Sequence, residues 1–470
     1  SKRIAVLGSD AIEARLGGYS GPGIRKISIL EGIRNVVGKS AQIMYAKGCE
    51  RSSPGYMPVP SECLLCSPDG KVQPGLLGEY FDNISLSGNP VLQRVDPQIQ
   101  FQWTLFSPDP QKLPRDFYSV RWSGKLKAPG TGLFKIGIDG NDGYRLLINR
   151  QLVIDSWKKV TRRAILAEYH FEKGIEYDIR IEFFEPAGNG FIKLVWNLGL
   201  SSNWKAAMDE AVKLAQQSDV VVVVAGIEEG EFRDRAWLGL PGRQEELINQ
   251  VAAAGKPTVV VLVGGSAVTM RGWLDNVPAV LDVWYPGEQG GAAVADVLFG
   301  DANPAGRLPV TFPAAEGQLP LVYNHKPTGR GDDYGDLTGE PLFPFGFGLS
   351  YTSFEYNNLS FDRQQISSTD STVVRFTVRN TGPMEGDEIV QLYIHDEVAS
   401  LARPVIELKG FERIHLKAGE MKEACFTITP EKLSMLDKDL KLIVEAGDFR
   451  IMIGSSSKDI RLRGILTVND

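Results

Sequence analysis

The chain has 470 residues and a net charge of −7 at pH 7, and 43% of its residues are hydrophobic while 23% are charged. Its length exceeds the size at which one hydrophobic core stops growing, so we expect two to four domains. The charges are spread along the chain without a basic cluster, which argues against nucleic acid or an anionic membrane as a partner. No apolar run approaches the ~20 residues that cross a bilayer.

The first segment, residues 1–72, has the pattern of alternating strands and helices. An apolar strand pattern begins directly after Ser1-Lys2-Arg3, without a signal peptide, so we expect an internal piece of a longer polypeptide. Ser28 and Glu31 have the spacing of a capping box, and the helix that they begin is predicted to end at Gly38. A second strand follows. This segment therefore predicts an α/β fold.

The sequence changes character at about residue 73. Residues 73–199 contain short runs of alternating polarity, many aromatic residues and frequent turn residues, which is typical of antiparallel strands. The clearest strand patterns are at 134–138, 144–148, 177–183 and 191–196. We expect an all-β sandwich here.

The α/β pattern returns at about residue 200. The very apolar strands predicted at 220–225 and 258–263 alternate with helices, which indicates a parallel sheet covered on both faces. The simplest interpretation is one α/β sandwich domain, formed by residues 1–72 and 200–330 and interrupted by the all-β insert.

The remaining sequence predicts a linker and a third domain. Residues 331–350 are rich in Pro, Gly and Asp, which indicates an extended linker. Residues 351–470 contain alternating strand patterns, for example at 373–378 and 389–394, with one short helical pattern near 431–436. This arrangement predicts a β-sandwich of the immunoglobulin or fibronectin type III kind.

The cysteines and histidines do not form a metal or redox motif. The pair Cys63 and Cys66 lacks a second pair at zinc spacing, and a disulfide among Cys49, Cys63 and Cys66 stays open. Cys425 lies in an alternating strand pattern and is predicted to be a buried small side chain. The four histidines are scattered over different elements. We expect no cofactor.

One loop of the insert was considered for calcium. Asp139, Asn141 and Asp142 supply the oxygen atoms that a hard cation prefers. The same stretch also has the composition of a β-turn between two strands. We therefore predict no metal site, and calcium in the insert stays open.

Several long motifs resemble glycoside hydrolase family 3. Residues 282–313, DVWYPGEQGGAAVADVLFGDANPAGRLPVTFP, are similar to a signature of the C-terminal α/β sandwich of that family. FPFGFGLSYTSFEY (343–356) resembles its passage into a fibronectin type III-like domain, and VRNTGPMEGDEIVQLYIHD with RPVIELKGF (within 378–411) resembles that domain itself. The resemblance covers nearly the whole chain in the expected order.

The insert resembles the protective-antigen-like domain that some members of the family carry at this place. The similarity lies in GLLGEYFDN (75–83), SVRWSGKLKAP (119–129) and DGNDGYRLLINRQLVIDSW (139–157). The catalytic (β/α)8 barrel of the family, which carries the aspartate nucleophile, is absent from these residues. The resemblance therefore implies a barrel that lies upstream, downstream, or on a separate or cleaved chain.

The resemblance also implies which residue acts as the general acid/base. Retaining hydrolysis uses one carboxylate as nucleophile and a second carboxyl group that protonates the leaving oxygen and then deprotonates water. The loop after strand 220–225 lies where parallel sheets place functional groups. In the family, the acid/base glutamate stands three residues before an Asp-Arg pair, and Glu231 has that position before Asp234-Arg235. Glu228 and Glu229 remain alternatives.

The implied function is that of a retaining, exo-acting β-glucosidase that removes terminal β-D-glucosyl residues from a β-glucoside or a short oligosaccharide. The candidates for substrate binding are Phe232 and, near loop tips of the insert, Phe106 and Trp157. Specificity for β-xylosides, and a non-catalytic carbohydrate-binding or scaffold module, are the alternatives. A secreted or periplasmic location is expected, and a homodimer stays open.

Overall fold

The computed structural model describes residues 2–21, 23–52, 55–103, 106–198, 204–230, 234–328 and 333–469. The chain forms two compact units, one made of Ser1–Arg51 with Ala207–Asp470 and the other of Ser52–Ala206. The second unit is inserted into the sequence of the first. None of the helices in these ranges is long and apolar enough to cross a membrane.

The α/β part of the first unit is built from two separate stretches of chain. In chain order its first elements are β1 (Lys2–Leu7), α1 (Ile29–Val37) and β2 (Ala41–Ala46). The Ser28 hydroxyl accepts a hydrogen bond from the backbone N–H of Glu31 at 3.2 Å, and α1 ends at Gly38, which has a φ of 54°. Both helix ends therefore lie where the sequence predicts them.

The inserted unit consists of thirteen strands in its described residues. They are β3 (Met57–Pro58), β4 (Leu64–Cys66), β5 (Gln73–Pro74), β6 (Leu76–Phe81), β7 (Leu92–Asp96), β8 (Gln100–Trp103), β9 (Tyr118–Lys127), β10 (Gly132–Gly140), β11 (Gly143–Ile148), β12 (Gln151–Ser156), β13 (Arg163–Phe171), β14 (Glu176–Glu185) and β15 (Gly190–Trp196).

These strands form two sheets around an aromatic core. One sheet has the order β13-β10-β15-β3, with β8 also on β15, and the other has the order β12-β11-β14-β9-β4-β5, with β6 and β7 attached through β9. Trp122 and Trp196 are buried between them. The Trp122 indole N–H donates to the buried carboxylate of Asp96 at 2.7 Å, so the polar group of this core side chain is satisfied.

The predicted boundary at residue 72 is too late. Strand β3 pairs with β15 and β4 pairs with β9, and Val59 and Leu64 are part of the aromatic core. The units divide between Arg51 and Ser52. The strands of this stretch have only two or three residues each, and the surrounding Pro and Ser residues hid them in the sequence pattern.

The α/β pattern resumes after the insert. The elements are α2 (Trp204–Gln217), β16 (Val220–Gly226), α3 (Gln244–Ala252), β17 (Thr258–Val263), β18 (Ala279–Asp282) and α4 (Gly290–Phe299). Together with β1 and β2 the strands form one sheet of order β18-β17-β16-β1-β2. All four pairings are parallel, as the continuous apolar runs predict.

Helices cover this sheet. Apolar residues of α1 and α4 pack on one face, in a cluster with alternate residues of β1, β16 and β17. Gly32 of α1 lies so close to Gly291 of α4 that a Cβ on Gly32 would come within 1.9 Å of the Gly291 carbonyl oxygen. The two helices therefore depend on glycine for their close contact.

The C-terminal part is a β-sandwich, as predicted. Its elements are β19 (Phe354–Phe361), β20 (Gln365–Ser367), β21 (Thr372–Asn380), β22 (Gly386–Asp396), β23 (Glu407–Leu416), β24 (Met421–Ile428), α5 (Pro430–Leu433), β25 (Met435–Leu436), β26 (Leu442–Ile443), β27 (Gly447–Gly454) and β28 (Ile460–Asn469). A sheet of order β19-β21-β24 and one of order β20-β28-β27-β22-β23 share one apolar core.

The predicted linker lacks helices and strands in its described residues, but it forms hydrogen bonds with the segments on both sides of it. The side-chain amide of Gln391 donates to the Gly346 carbonyl at 3.2 Å, and Phe343 forms a bridge with Phe312. The buried side chains of Arg307 and Glu388 form an ion pair at 2.6 Å that joins the two domains. The α/β domain and the sandwich therefore belong to one compact unit.

The cysteine predictions need correction. All four cysteines are free thiols, so Cys49, Cys63 and Cys66 form no disulfide. Cys425 is exposed, because on β24 the neighbouring residues Ala424 and Phe426 point into the core. The alternation was predicted correctly, but its phase was wrong by one residue.

Candidate active site

Polar side chains from the loops at the carboxyl ends of the parallel strands contact one another. β1, β2, β16, β17 and β18 run in the same direction, so the residues that follow them lie at one edge. The polar residues in contact there are Asp10, Arg15, Arg51, Glu228, Glu229, Arg235, Ser266 and Tyr285. We call this group the carboxyl-edge cluster.

The predicted acid/base belongs to the loop that follows β16 in the sequence. Glu231 and Phe232 lie outside the described residues, which stop at Gly230 and resume at Asp234. The structure does describe both flanks of this stretch. The contacts of these flanks show whether Glu228 and Glu229, the alternative candidates, are free to exchange a proton with a substrate.

The flank before Glu231 is held by Glu229. Its carboxylate accepts a hydrogen bond from the Gly265 backbone N–H at 2.7 Å and another from the Ser266 hydroxyl. The backbone N–H of Glu229 donates to the Tyr285 hydroxyl at 3.2 Å. Both carboxylate oxygens of Glu229 therefore have fixed donors, which suits a structural anchor better than a group that exchanges protons with substrate.

The flank after Glu231 is held by Arg235. Its guanidinium donates to the Gly239 carbonyl and to the Ser266 hydroxyl, each at 3.1 Å, and lies 4.0 Å from the Glu229 carboxylate. Asp234 is exposed. The carboxylate next to Arg235 in the described residues belongs to Glu229.

A second anchor lies just beyond this flank. The Leu238 backbone N–H donates to the carboxylate of Glu316 at 2.6 Å. Partial burial favours the neutral form of Glu316, but hydrogen bonds from the backbone of Leu238 and Gly239 outweigh it and lower its pKa. Glu316 is therefore an ionised structural group.

The cluster also contains a buried ion network that the sequence did not reveal. Asp10, which is 0% exposed, lies 3.1 Å from Arg15, and both of its oxygens lie 3.0 Å from the Arg51 Nε. Arg15 also donates to the Ile227 carbonyl, at the start of the loop that carries Glu231. The only signal in the sequence was a carboxylate shortly after a buried strand, and neither arginine is adjacent to it.

Glu228 is half exposed and lies 3.9 Å from the Arg51 guanidinium.

The buried side-chain amide of Gln244 forms hydrogen bonds to the backbone at both ends of the loop that follows β16. It accepts from the Gly226 N–H and donates to the Gly226 carbonyl, both at 2.8 Å, and it also donates to the Pro241 carbonyl at 3.0 Å. The beginning and the end of the loop are therefore joined through one side chain.

One further carboxyl group at this edge has a raised pKa. Burial raises the pKa of Asp282, at the end of β18, to about 6, while one of its oxygens accepts from the Trp284 N–H at 3.3 Å. The other oxygen is buried and has no hydrogen-bond partner within the described ranges. A raised pKa alone does not make Asp282 a general acid, because that role also requires hydrogen-bond reach to the leaving oxygen.

The aromatic candidates in the insert differ from each other. Phe106 is 54% exposed, whereas the Trp157 ring packs edge-on against Phe184 at 4.8 Å and is covered by the Arg145 guanidinium at 4.6 Å. Two exposed aromatic residues in loops of the carboxyl edge were missed by the sequence. They are Tyr19, which is 80% exposed, and Trp237, which is 77% exposed.

Two of the three residues that could supply ligands for calcium have other partners. Asp139 forms a two-point ion pair with Arg162 at 2.9 and 3.2 Å, and the Asn141 side chain bonds to the backbone of Phe191 and Asn189. Within the described ranges, no three His, Cys, Asp or Glu side chains are grouped so that they could hold a metal ion.

Comparison with protein families and known structures gives a consistent result. A model described as the glycosyl hydrolase family 3 C-terminal domain matches residues 1–351, and a fibronectin type III-like domain model matches residues 388–457. A curated beta-xylosidase of Formosa agariphila is 44% identical over 273 residues, which is 56% of this chain and 38% of the relative. A periplasmic beta-glucosidase of Salmonella typhimurium is 39% identical over 270 residues, 55% of this chain and 35% of the relative.

Similarity to a solved structure extends over the whole chain. The crystal structure of a beta-glucosidase from Kluyveromyces marxianus in complex with glucose superposes with a TM-score of 0.71 at 26% identity, and covers 100% of this chain and 59% of that one. This chain therefore spans between about a third and three fifths of the length of these proteins.

Proposed function

Because the chain belongs to glycosyl hydrolase family 3, we propose that it is part of a retaining, exo-acting β-glucosidase and supplies the general acid/base Glu231. The aspartate nucleophile of this enzyme lies on a (β/α)8 barrel outside these 470 residues. The family resemblance and the fold class predicted from the sequence are confirmed. The likeness of the insert to a protective-antigen-like domain stays a prediction.

The observation that carries the assignment is the difference among the carboxylates of one loop. Glu229 has both oxygens bonded to donors of the next strand end, and Glu228 lies beside Arg51. A positive neighbour favours the ionised form of a carboxyl group, whereas a general acid must hold its proton near neutral pH. This contrast favours Glu231, the position that the family motif also indicates.

The chemistry assigned to Glu231 has two steps. In the first it gives a proton to the glycosidic oxygen while the barrel aspartate attacks the anomeric carbon, and in the second it takes a proton from the water that hydrolyses the glycosyl-enzyme. The two carboxyl groups then stand roughly 5 to 5.5 Å apart. The barrel must therefore lie against the carboxyl edge of the sheet. The exposed aromatic residues Tyr19 and Trp237 of that edge support the presence of such a neighbour.

The alternative specificity has an observation of its own. The relative with 44% identity is named a beta-xylosidase, and the sugar pocket belongs largely to the barrel. The alternative of a non-catalytic module predicts no hydrolysis in any assembly. A secreted or periplasmic location is proposed, because one relative is named a periplasmic beta-glucosidase.

The proposal is tested with aryl β-glucosides and aryl β-xylosides. The isolated chain should hydrolyse neither substrate, and a polypeptide or complex that also contains the barrel should release β-glucose faster than β-xylose, with retention of the anomeric configuration. Nuclear magnetic resonance of the first-formed sugar measures the configuration. Faster hydrolysis of the xyloside would show β-xylosidase specificity instead of β-glucosidase specificity. No hydrolysis by the complete assembly would favour the non-catalytic module.

A further inference from the structure

The motif Gly264-Gly265-Ser266 at the end of β17 has no role in the proposed function so far. Its spacing is not that of a nucleophile elbow, so Ser266 is not expected to attack a substrate. Ser266 follows Glu229 by 37 residues in the sequence, but its hydroxyl contacts the Glu229 carboxylate in the structure. The contacts of this motif indicate a different role.

The two glycines make room for Glu229. A Cβ on Gly265 would lie 2.4 Å from a Glu229 carboxylate oxygen and 2.9 Å from the Tyr285 ring. On the opposite side, a Cβ on Gly18 would lie 2.4 Å from the Glu229 carbonyl oxygen. Gly265, at the strand end after β17, and Gly18, in the loop after β1, therefore leave room beside Glu229 that a side chain at either position would fill.

Ser266 connects the two flanks of the segment that contains Glu231. Its hydroxyl donates to the carboxylate of Glu229, before that segment, and accepts from the guanidinium of Arg235, after it, at 3.1 Å. The same guanidinium is 4.0 Å from the carboxylate. One hydroxyl group on the neighbouring strand end therefore joins residues that lie six positions apart along the loop.

We propose that Ser266 is a positioning residue for the acid/base: with Glu229 and Arg235 it fixes both ends of the loop that carries Glu231. This inference rests on the proposed function. A loop with fixed ends has fewer conformations, which restricts the positions that a residue between those ends can take. A displacement of about 1 Å at a reacting group can cost on the order of 100-fold in rate.

The test uses Ser266→Ala in the protein that contains the barrel. We expect kcat/KM for aryl glucosides with poor leaving groups to fall about 10- to 100-fold, while dinitrophenyl glucosides, which need little protonation, lose less than about 3-fold. Ser266→Thr keeps the hydroxyl and should restore most of the activity. Ser218→Ala is the matched control, because the buried Ser218 hydroxyl also makes a hydrogen bond, which it donates to the Ala215 carbonyl at 2.8 Å, just before β16 at the opposite edge of the sheet.

A second readout does not depend on activity. In the isolated chain, hydrogen–deuterium exchange of peptides within 227–243 should be faster in Ser266→Ala than in wild type, and unchanged in Ser218→Ala. Gly265→Ala, which removes the space for Glu229, should give the same signature.

The outcomes separate this inference from the proposed function. If Glu231→Gln shows a strong dependence on the leaving group but Ser266→Ala behaves like wild type, positioning by Ser266 is wrong and the proposed function stands. A loss in Ser266→Ala that is equal for poor and activated leaving groups, or unchanged exchange within 227–243, would also overturn it. If Glu231→Gln itself shows no such dependence, the proposed function fails.

Discussion

Asp10 in the α/β domain and Glu185 in the inserted β-sandwich are both completely buried acids, and they differ in their partners. Asp10 is in contact with the guanidinium groups of Arg15 and Arg51. Neither carboxyl oxygen of Glu185 has a hydrogen-bond partner within the described ranges. Burial, together with the charges of Asp116 and Asp142, raises the pKa of Glu185 to about 7. Equal burial therefore goes with an ion-paired structural anchor in one region and with a carboxyl group whose pKa is raised to about 7 in the other.

The surroundings of Glu185 strengthen this contrast. Burial also raises the pKa of Asp142 to about 6, and one of its oxygens lacks a partner in the described part of the chain. The nearby Tyr118 hydroxyl is buried and unpaired in the same sense, and its pKa is raised by burial and then by the charges of Glu185 and Asp142. Around Glu185 the β-sandwich thus shifts two buried carboxyl groups toward the protonated form, whereas Asp10 of the α/β domain is paired with cations.

The largest effect is expected for Asp10→Ala. The substitution removes the buried carboxylate that Arg15 and Arg51 share, and loss of one partner of a buried ion pair costs about 3 to 5 kcal/mol of unfolding free energy. Urea denaturation of the full chain, followed by exchange in the strands of the parallel sheet, measures it. Asp219→Ala is the control, because its carboxylate accepts from the Arg3 N–H at an exposed position. A cost below about 1 kcal/mol would show that the arginines have other adequate partners.

The inserted β-sandwich should lose stability as the pH rises. The pKa values of Glu185 and Asp142 are higher in the folded state than their ordinary values of 4.5 and 3.8, so protonation stabilises the fold at low pH. This stabilisation is lost as the pH rises from about 4 through about 7, by about 1 to 3 kcal/mol in total. Exchange of amides in β9 and β14 at several pH values measures it, and stability that rises with pH over this range would contradict it.

Glu185→Gln should remove most of that pH dependence. Above pH 7 the glutamine carries no charge to bury, so the variant should be more stable than wild type by about 1 to 2 kcal/mol. The corresponding amide substitution in the other region, Asp10→Asn, should be destabilising, because both arginines need a negative partner. Thermal unfolding of the two variants at pH 8 compares them directly. Shifts of the same sign would remove the distinction between the two acids.

The smallest effect is expected for Asp282→Asn. Asp282 lies in the α/β domain but resembles Glu185, because its pKa is raised to about 6 and one oxygen is buried and unpaired in the described ranges. The substitution should increase stability by less than about 1 kcal/mol at pH 8, since the other oxygen keeps its bond to the Trp284 N–H. Thermal unfolding also measures this change. Destabilisation would mean that a missing hydrogen-bond partner does not determine how an amide substitution changes stability, and that the two domains differ in some other way.

Local patterns in the sequence predicted the regular elements well. The apolar run at 220–225 became Val220–Gly226, and Ser28 and Gly38 mark the ends of α1, because short-range propensity and capping determine these features. The division between Arg51 and Ser52 was not predicted, because strands as short as Met57–Pro58 form only through pairing with distant strands. The phase of β24 at Cys425 is also decided by the opposite sheet rather than by the strand itself.

The candidate site could be predicted only in part. Glu231 was predicted through the family motif, but the contact of Ser266 with Glu229 was not, because it depends on the neighbouring strand end, 37 residues from Glu229. Likewise, Asp10 and Arg51 are 41 residues apart and meet only because β1 and β2 are parallel neighbours. Side-chain contacts between loops at one edge of a sheet follow from its topology, which a single sequence does not specify.

The central claim is that Glu231 gives and then takes a proton. In the protein that contains the barrel, Glu231→Gln should lower kcat/KM for aryl glucosides with poor leaving groups by about 10²- to 10⁴-fold. The loss should be much smaller for dinitrophenyl glucosides, and azide should partly restore turnover of Glu231→Ala by replacing the water that needs a base. The decisive quantity is the ratio of the two losses. A ratio far above one is the result that this account predicts, and a ratio near one would remove Glu231 from the role and make Glu229 or Glu228 the next candidate.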